Sequence, residues 1–176
     1  DEAWPGDIVG LVGHSEFGIG DTLTTNPSIR YHEIPRFTPE SFAYLHNPNT
    51  GKFKQFRQGL EQLLQEGVIQ VLHLHDSIIK VPLLAAVGPL QFEVVQYRLM
   101  SEYGAESRLE STPWCVIRWL PQGFTMEQCA QLQLPTGARL AWDSDRNNVI
   151  LFSNDWSANY FLQTNKVELT ALPPQS

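Results

Sequence analysis

Gly88 and Pro89 stand between a run of small and β-branched residues and a long patterned segment, in the stretch AAVGPLQFEVVQYRLMSEYG over residues 85–104. A strand, a glycine turn and a helix are the parts of a phosphate cradle. In its P-loop form such a cradle needs G-x-x-x-x-G-K-[ST], because several backbone amides, a lysine and a magnesium-binding hydroxyl must meet the phosphates together. No stretch of the chain has that form. The glycine here is followed by a proline, which removes an amide, and proline is ordinary usage at the first helical position. The turn is therefore expected to start a helix and to hold no nucleotide.

His73 and His75 lie two apart in an apolar run, so on a strand both would point to one face, as two metal ligands must, with Asp76 beside them. A third ligand cannot be placed, and histidines at strand ends commonly face solvent, so no metal site is assigned. Serine, histidine, cysteine and acidic residues are all present, yet no G-x-S-x-G elbow sets up a nucleophile and no carboxylate pair stands out. No catalytic residue and no cofactor site is expected in this chain. Cys115 and Cys129 are the only cysteines, and both fall in apolar segments. They read as reduced core thiols of a reducing compartment, with a disulfide as the alternative.

Charge is the remaining chemical signal. Twelve Lys and Arg against 19 Asp and Glu leave a net charge of −7, which disfavours a broad electrostatic grip on nucleic acid and restricts any RNA contact to a local patch. Such a patch exists between residues 30 and 57, where Arg30, Arg36, Lys52, Lys54 and Arg57 outnumber Glu33 and Glu40. Arg36, Lys52, Lys54 and Arg57 are the candidate partner-binding residues. The plainer reading of the same charges is a solvated helix face.

The elements that must position these residues follow from periodicity. A 42% hydrophobic content is enough for a core, and the apolar run over 78–90 is broken by Lys80, two prolines and a glycine, so no span of a bilayer is expected. Residues 1–30 alternate around Ile8, Val9, Leu11, Ile19 and Leu23, with Gly6-Asp7 and Gly20-Asp21 as turn pairs, and read as one hairpin of a β-barrel. The opening at Asp1, with no run-up before this stretch, reads as an excised fragment. Pro27, Pro35 and Pro39 mark a change of domain. Beyond them the pattern is strand (36–47), helix (51–67, with Phe53, Phe56, Leu60, Leu63 and Leu64 on one stripe), strands (68–75 and 78–87), helix (89–103) and strand (105–111). Pro82 suggests an edge or a bulge in the strand that contains it. The order then repeats: strand (114–120), a short helix begun by a Thr125/Gln128 capping box, a hairpin (137–144 and 147–153) around Asp145-Arg146, a helix capped by Asn154 that carries Trp156, Tyr160 and Phe161, and a strand (166–172). The expected fold class is α+β, with two successive βαββαβ, ferredoxin-like units at about 31–111 and 112–176, preceded by the hairpin remnant.

The stretches PGDIVGL, FGIGDTLT, IPRFTPE, KQFRQGLEQLLQEGVIQV and LLAAVGPLQFEVVQYRLMSEYGAESRLE, in this order over residues 5–111, resemble the C-terminal half of the bacterial peptide-chain release factor three family of translational GTPases. Over 112–176 only the pattern and Arg118-Trp119 carry the likeness. The resemblance implies that residues 1–30 end the family's second-domain barrel and that 31–176 form its third domain. It implies a parent whose N-terminal G domain holds GTP and magnesium, with none in this fragment, and a parent role in freeing codon-reading release factors from the ribosome. It further implies a cytoplasmic, non-catalytic part that contacts the small ribosomal subunit, through ribosomal protein and also RNA, and couples nucleotide state to ribosome rearrangement. An acidic domain suits a basic ribosomal protein better than bare RNA. The competing expectation is a stand-alone regulatory or small-molecule-binding domain on ferredoxin-like units, a fold that hosts many functions.

Overall fold

Alternation over 36–47 produces the first strand, β1 (Ser41–His46), which buries Phe42, Ala43 and Leu45. The structure, a computed structural model, describes residues 2–12, 20–31, 37–77 and 81–174. Asn49 accepts the Gly51 amide at 3.0 Å and opens a single 3-10 turn (Thr50–Lys52) that leads directly into α1 (Phe53–Gln65). Phe56, Leu60 and Leu63 are buried at helical spacing, whereas Phe53, expected on the same stripe, is 61% exposed. At 100° per residue it falls between Leu60 and Leu64, which pack on the core, so its exposure comes from its place as the first residue of α1 and not from its angle. Gly67, with φ +68°, takes the left-handed turn that ends the helical region.

Strand β2 (Gln70–Leu74) follows, and then β3 (Leu83–Ala86), all four of whose residues are buried. β3 lies between β1 and β2, not at an edge as Pro82 suggested. Pro82 precedes the strand and contributes only its carbonyl, which accepts the Leu45 amide at 3.0 Å, so its missing N–H costs nothing there. Helix α2 (Leu90–Tyr103) buries Phe92, Val95 and Leu99. It closes on Gly104 (φ +60°), where the Gly104 and Ala105 amides return to Met100 and Leu99 in a Schellman turn. β4 (Arg108–Ser111) completes the first unit on the free side of β1.

The second unit repeats the scheme with β5 (Val116–Trp119), α3 (Met126–Ala130), β6 (Arg139–Trp142), β7 (Asn148–Phe152) and α4 (Asp155–Asn165). The Thr125/Gln128 capping box and the Asn154 cap are both formed. The strand expected over 166–172 shrinks to one bridge, in which Thr170 exchanges both backbone hydrogen bonds with Trp119 at 2.9 and 3.0 Å. Pro173 and Pro174 follow at once and offer no amide to prolong the ladder.

All seven strands form one antiparallel sheet in the order β4-β1-β3-β2-β6-β7-β5. The first four carry the ferredoxin-like order, and the two units join through β2 and β6, where His73 pairs with Trp142 and Leu74 with Ala141. Helices α1 and α2 cover Ala43, Leu45, Leu84 and Ala86 on one face of the first unit. The second unit buries Val116, Leu120, Ile150 and Phe152 with Ala158 and Phe161 of α4 and Cys129 of α3. The helix-free faces meet each other: Phe42, Leu72, Leu83 and Ala85 share a cluster with Ile117, Trp119, Val149 and Leu151. Tyr44 of β1 meets Trp114, just before β5, edge-on at 6.4 Å although four strands lie between β1 and β5 in the sheet order, so the sheet is folded back on itself. The Thr38 hydroxyl, which donates to the Ala171 carbonyl at 2.8 Å, joins the two ends of this body.

The chain divides into two compact units, residues 1–34 and 35–176. In the first, the described residues 2–12 and 20–31 contain no strand, so the expected hairpin is not formed there; Ile19 lies outside them. The Gly6-Asp7 turn is present, with the Asp7 amide on the Trp4 carbonyl at 2.9 Å and the Trp4 amide on the Asp7 carboxylate at 2.8 Å. Ile8, Val9, Leu11 and Val12 are all exposed. A lone pair of short apolar segments cannot bury both faces of a hairpin, and isolated hairpins are marginal in water.

Candidate interaction site

The Gly88-Pro89 turn starts α2 as expected, and its amides are in use. The Val87 and Gly88 amides donate to Gln91 Oε1 at 2.7 and 3.3 Å, and Gln91 Nε2 donates to the Val68 carbonyl at 3.1 Å. One glutamine thus occupies the donors that an anion would need, and ties the turn to the loop between α1 and β2.

His73 is exposed on β2, while the His75 ring packs against the Trp142 indole at 4.2 Å between centroids. His75 Nε2 and Asn148 Oδ1 are both enclosed without a hydrogen bond that meets normal geometry. Burial pushes the His75 pKa down, opposed by Asn148, the Ala141 carbonyl and the Asp76 charge. Among the described residues no three His, Cys, Asp or Glu side chains are grouped to hold a metal ion. Cys129 is a buried thiol whose pKa burial raises, as a core thiol should be. Cys115, expected in the core, is exposed, and its Sγ donates to the Ser153 carbonyl at 3.1 Å. It lies just before β5, whose Val116 and Ile117 are buried on opposite faces of the strand. Both thiols are free.

The basic candidates separate. Arg36 lies outside the described residues. Lys52, Lys54 and Arg57 are exposed around Phe53 on the last residue of the 3-10 turn and the first two turns of α1, off the buried stripe. Arg57 Nε donates to Glu61 at 2.8 Å, an i,i+4 pair with both side chains mostly in solvent.

Arg57 also edges a groove of about 760 Å³ that runs from α1 across the β2–β6 seam to the turn between β6 and β7. That turn is organised by Asp143, a buried carboxylate that accepts from Trp119 Nε1 (2.9 Å), the Asp145 amide (3.0 Å), and the Asn147 amide and side chain (2.9 and 3.1 Å). The resulting loop places Arg146 in the left-handed region, φ +65°, and Arg146 lines the same groove. Residue types in the sequence mark Arg146 only as a turn residue. Its place in the same groove as Arg57, 89 positions earlier, follows from the pairing of β2 with β6.

The family described as "Class II release factor RF3, C-terminal domain" matches residues 31–162. Among curated relatives, Peptide chain release factor 3 of Gloeothece citriformis (strain PCC 7424) is 42% identical over 176 residues, 99% of this chain and 32% of that protein. The protein of the same name from Rippkaea orientalis is 44% identical over 170 residues, 96% of the chain and 31% of the relative. That of Synechococcus elongatus is 46% identical over 158 residues, 89% of the chain and 28% of the relative. The chain spans about a third of the length of these relatives. With the family match covering most of the folded body, the chain belongs to the class II release factor RF3 family, as its C-terminal domain.

Proposed function

We propose that this chain is the non-catalytic, ribosome-contacting part of a translation-termination GTPase that promotes release of codon-reading release factors. The observation that carries the reading is the family match over residues 31–162 together with relatives named Peptide chain release factor 3 over nearly the whole chain. On this reading GTP and magnesium belong to the G domain of the parent, the setting is cytoplasmic, and residues 1–30 belong to the parent's barrel domain. Among the described residues no helix is long and apolar enough to cross a membrane. The partner surface is the small ribosomal subunit. Lys52, Lys54 and Arg57 support it as exposed cations in an acidic chain, which steer association with a polyanionic particle; Arg36 joins them by charge alone.

The test is charge reversal at Lys52, Lys54 and Arg57 in the full-length protein, read by cosedimentation with small subunits and by nucleotide binding. Ribosome affinity should fall about tenfold or more at low salt, with nucleotide binding and thermal midpoint unchanged. Undiminished sedimentation removes these residues from the interface. Binding of GTP by residues 1–176 alone would refute the non-catalytic assignment.

A further inference from the structure

The groove between α1 and the β6–β7 turn has walls of one kind and a rim of another. Leu60, Leu64, Val71, Leu74 and Trp142 supply apolar surface. Arg57, Arg146, His73 and Tyr44 supply the polar edge, with Glu61 and Asp143 as the acidic groups of the lining.

The free hydrogen-bonding capacity of this rim is weighted toward donors. Both oxygens of Asp143 are occupied by the Trp119 indole, two backbone amides and the Asn147 side chain. Glu61 is engaged by Arg57 Nε, which leaves the two terminal nitrogens of that guanidinium without a bond among the described residues. Asp76 and Glu110, whose charges reach Tyr44, are themselves engaged by Arg139 at 3.6 Å and His46 at 2.8 Å. Burial and those carboxylates raise the Tyr44 pKa, so its phenol keeps its proton and can donate. The Arg146 side chain makes no hydrogen bond or ion pair among the described residues. It projects from a left-handed backbone position where glycine would sit without strain.

Two arginines with free donors and a largely apolar lining in one groove match a ligand that is an anionic acceptor at one end and a flat apolar body at the other. We propose that this groove takes a nucleotide of single-stranded RNA, with the phosphate on Arg57 and Arg146 and the base against the apolar wall. The proposal rests on the ribosome reading: the chain as a whole, at −7, suits basic ribosomal protein, whereas the free arginine donors of this groove suit the anionic surface that a ribosome supplies as RNA. Stacking and local charge neutralisation are the usual means by which an extruded nucleotide is held without sequence readout. A chain of net charge −7 can then touch RNA at this one place without a broad basic face.

The experiment uses residues 1–176, a fluorescein-labelled dodecauridylate and isolated small ribosomal subunits, with the variants Arg146→Gly and Arg57→Gln. Glycine at 146 removes the guanidinium and relieves the left-handed backbone, so the fold is retained, and a thermal melt verifies this. Each variant should weaken oligonucleotide and subunit binding about fivefold to tenfold and lower the logarithmic salt slope by about one. If Arg146→Gly binds subunits as tightly as the parent chain, the groove assignment falls and the ribosome reading stands. If polyglutamate displaces the chain from subunits and dodecauridylate does not, the groove serves an acidic protein segment and the RNA assignment is wrong. If the parent chain binds no subunits at all, the ribosome reading itself fails and takes this inference with it.

Discussion

Gly59 of α1 lies so close to Tyr103 of α2 that a Cβ at position 59 would stand 2.7 Å from Tyr103 Cδ2, and 2.8 Å from Leu99 Cδ2. The two helices can cover the first unit of the sheet only because this residue has no side chain. Gly59→Ala should therefore destabilise the chain by about 1–2 kcal/mol, since overpacking costs about 1–3 kcal/mol and outweighs the gain of about 1 kcal/mol in helix propensity. Urea denaturation checks the value, and partial recovery in Gly59→Ala/Tyr103→Leu would locate the cause in this contact. A raised midpoint for the single variant would show that the helices separate freely.

Asp143 joins β5 to the β6–β7 turn through Trp119 and the loop amides. Asp143→Ala should lower stability by about 2–3 kcal/mol, because it leaves a buried indole N–H and loop amides without acceptors. Near-ultraviolet dichroism should show a changed Trp119 environment. Retention of wild-type stability would mean that water replaces the carboxylate fully.

Stability should fall as pH drops from about 7.5 to 5, in part through His75. Its folded pKa is depressed by burial below the unfolded value of about 6.5, so the unfolded chain takes up the proton first. The contribution is complete above the unfolded value and is lost as pH falls through that value toward the folded one. His75→Phe keeps a ring on Trp142 and should flatten this part of the profile in urea titrations. An unchanged slope would exclude His75 as its source.

Gln91→Ala removes the acceptor of the Val87 and Gly88 amides and the link to the Val68 carbonyl. A loss of about 1–2 kcal/mol is expected, typical of a lost N-terminal cap. Amide exchange at Val87 and Gly88 should accelerate in the variant more than at the centre of β3. Equal protection in both proteins would show that the turn does not depend on this side chain.

Local chemistry accounts for what was legible. Helix ends were readable because their signals act within a few residues: Thr125 with Gln128, and Asn154, perform the caps their types suggest. Strand positions within 36–153 were readable because burial on both faces selects β-branched and apolar residues. Phe53 and Cys115 were misplaced because an apolar type reports a preference for burial and not the availability of a neighbour to provide it. The basic character of residues 52–57 was visible in composition, but not the groove beside them.

The order of caps, helices and strands, and the absence of a P-loop motif, therefore follow from the amino-acid sequence alone, since each depends on contacts between near neighbours. The tertiary structure decided that the two units share one sheet through β2 and β6, that their helix-free faces close on each other, and that Arg146 and Arg57 line one groove. Those relations join residues about 70 to 90 positions apart, as between His73 and Trp142, and strand pairing at that separation is set by which faces remain to be buried, a property of the assembled fold.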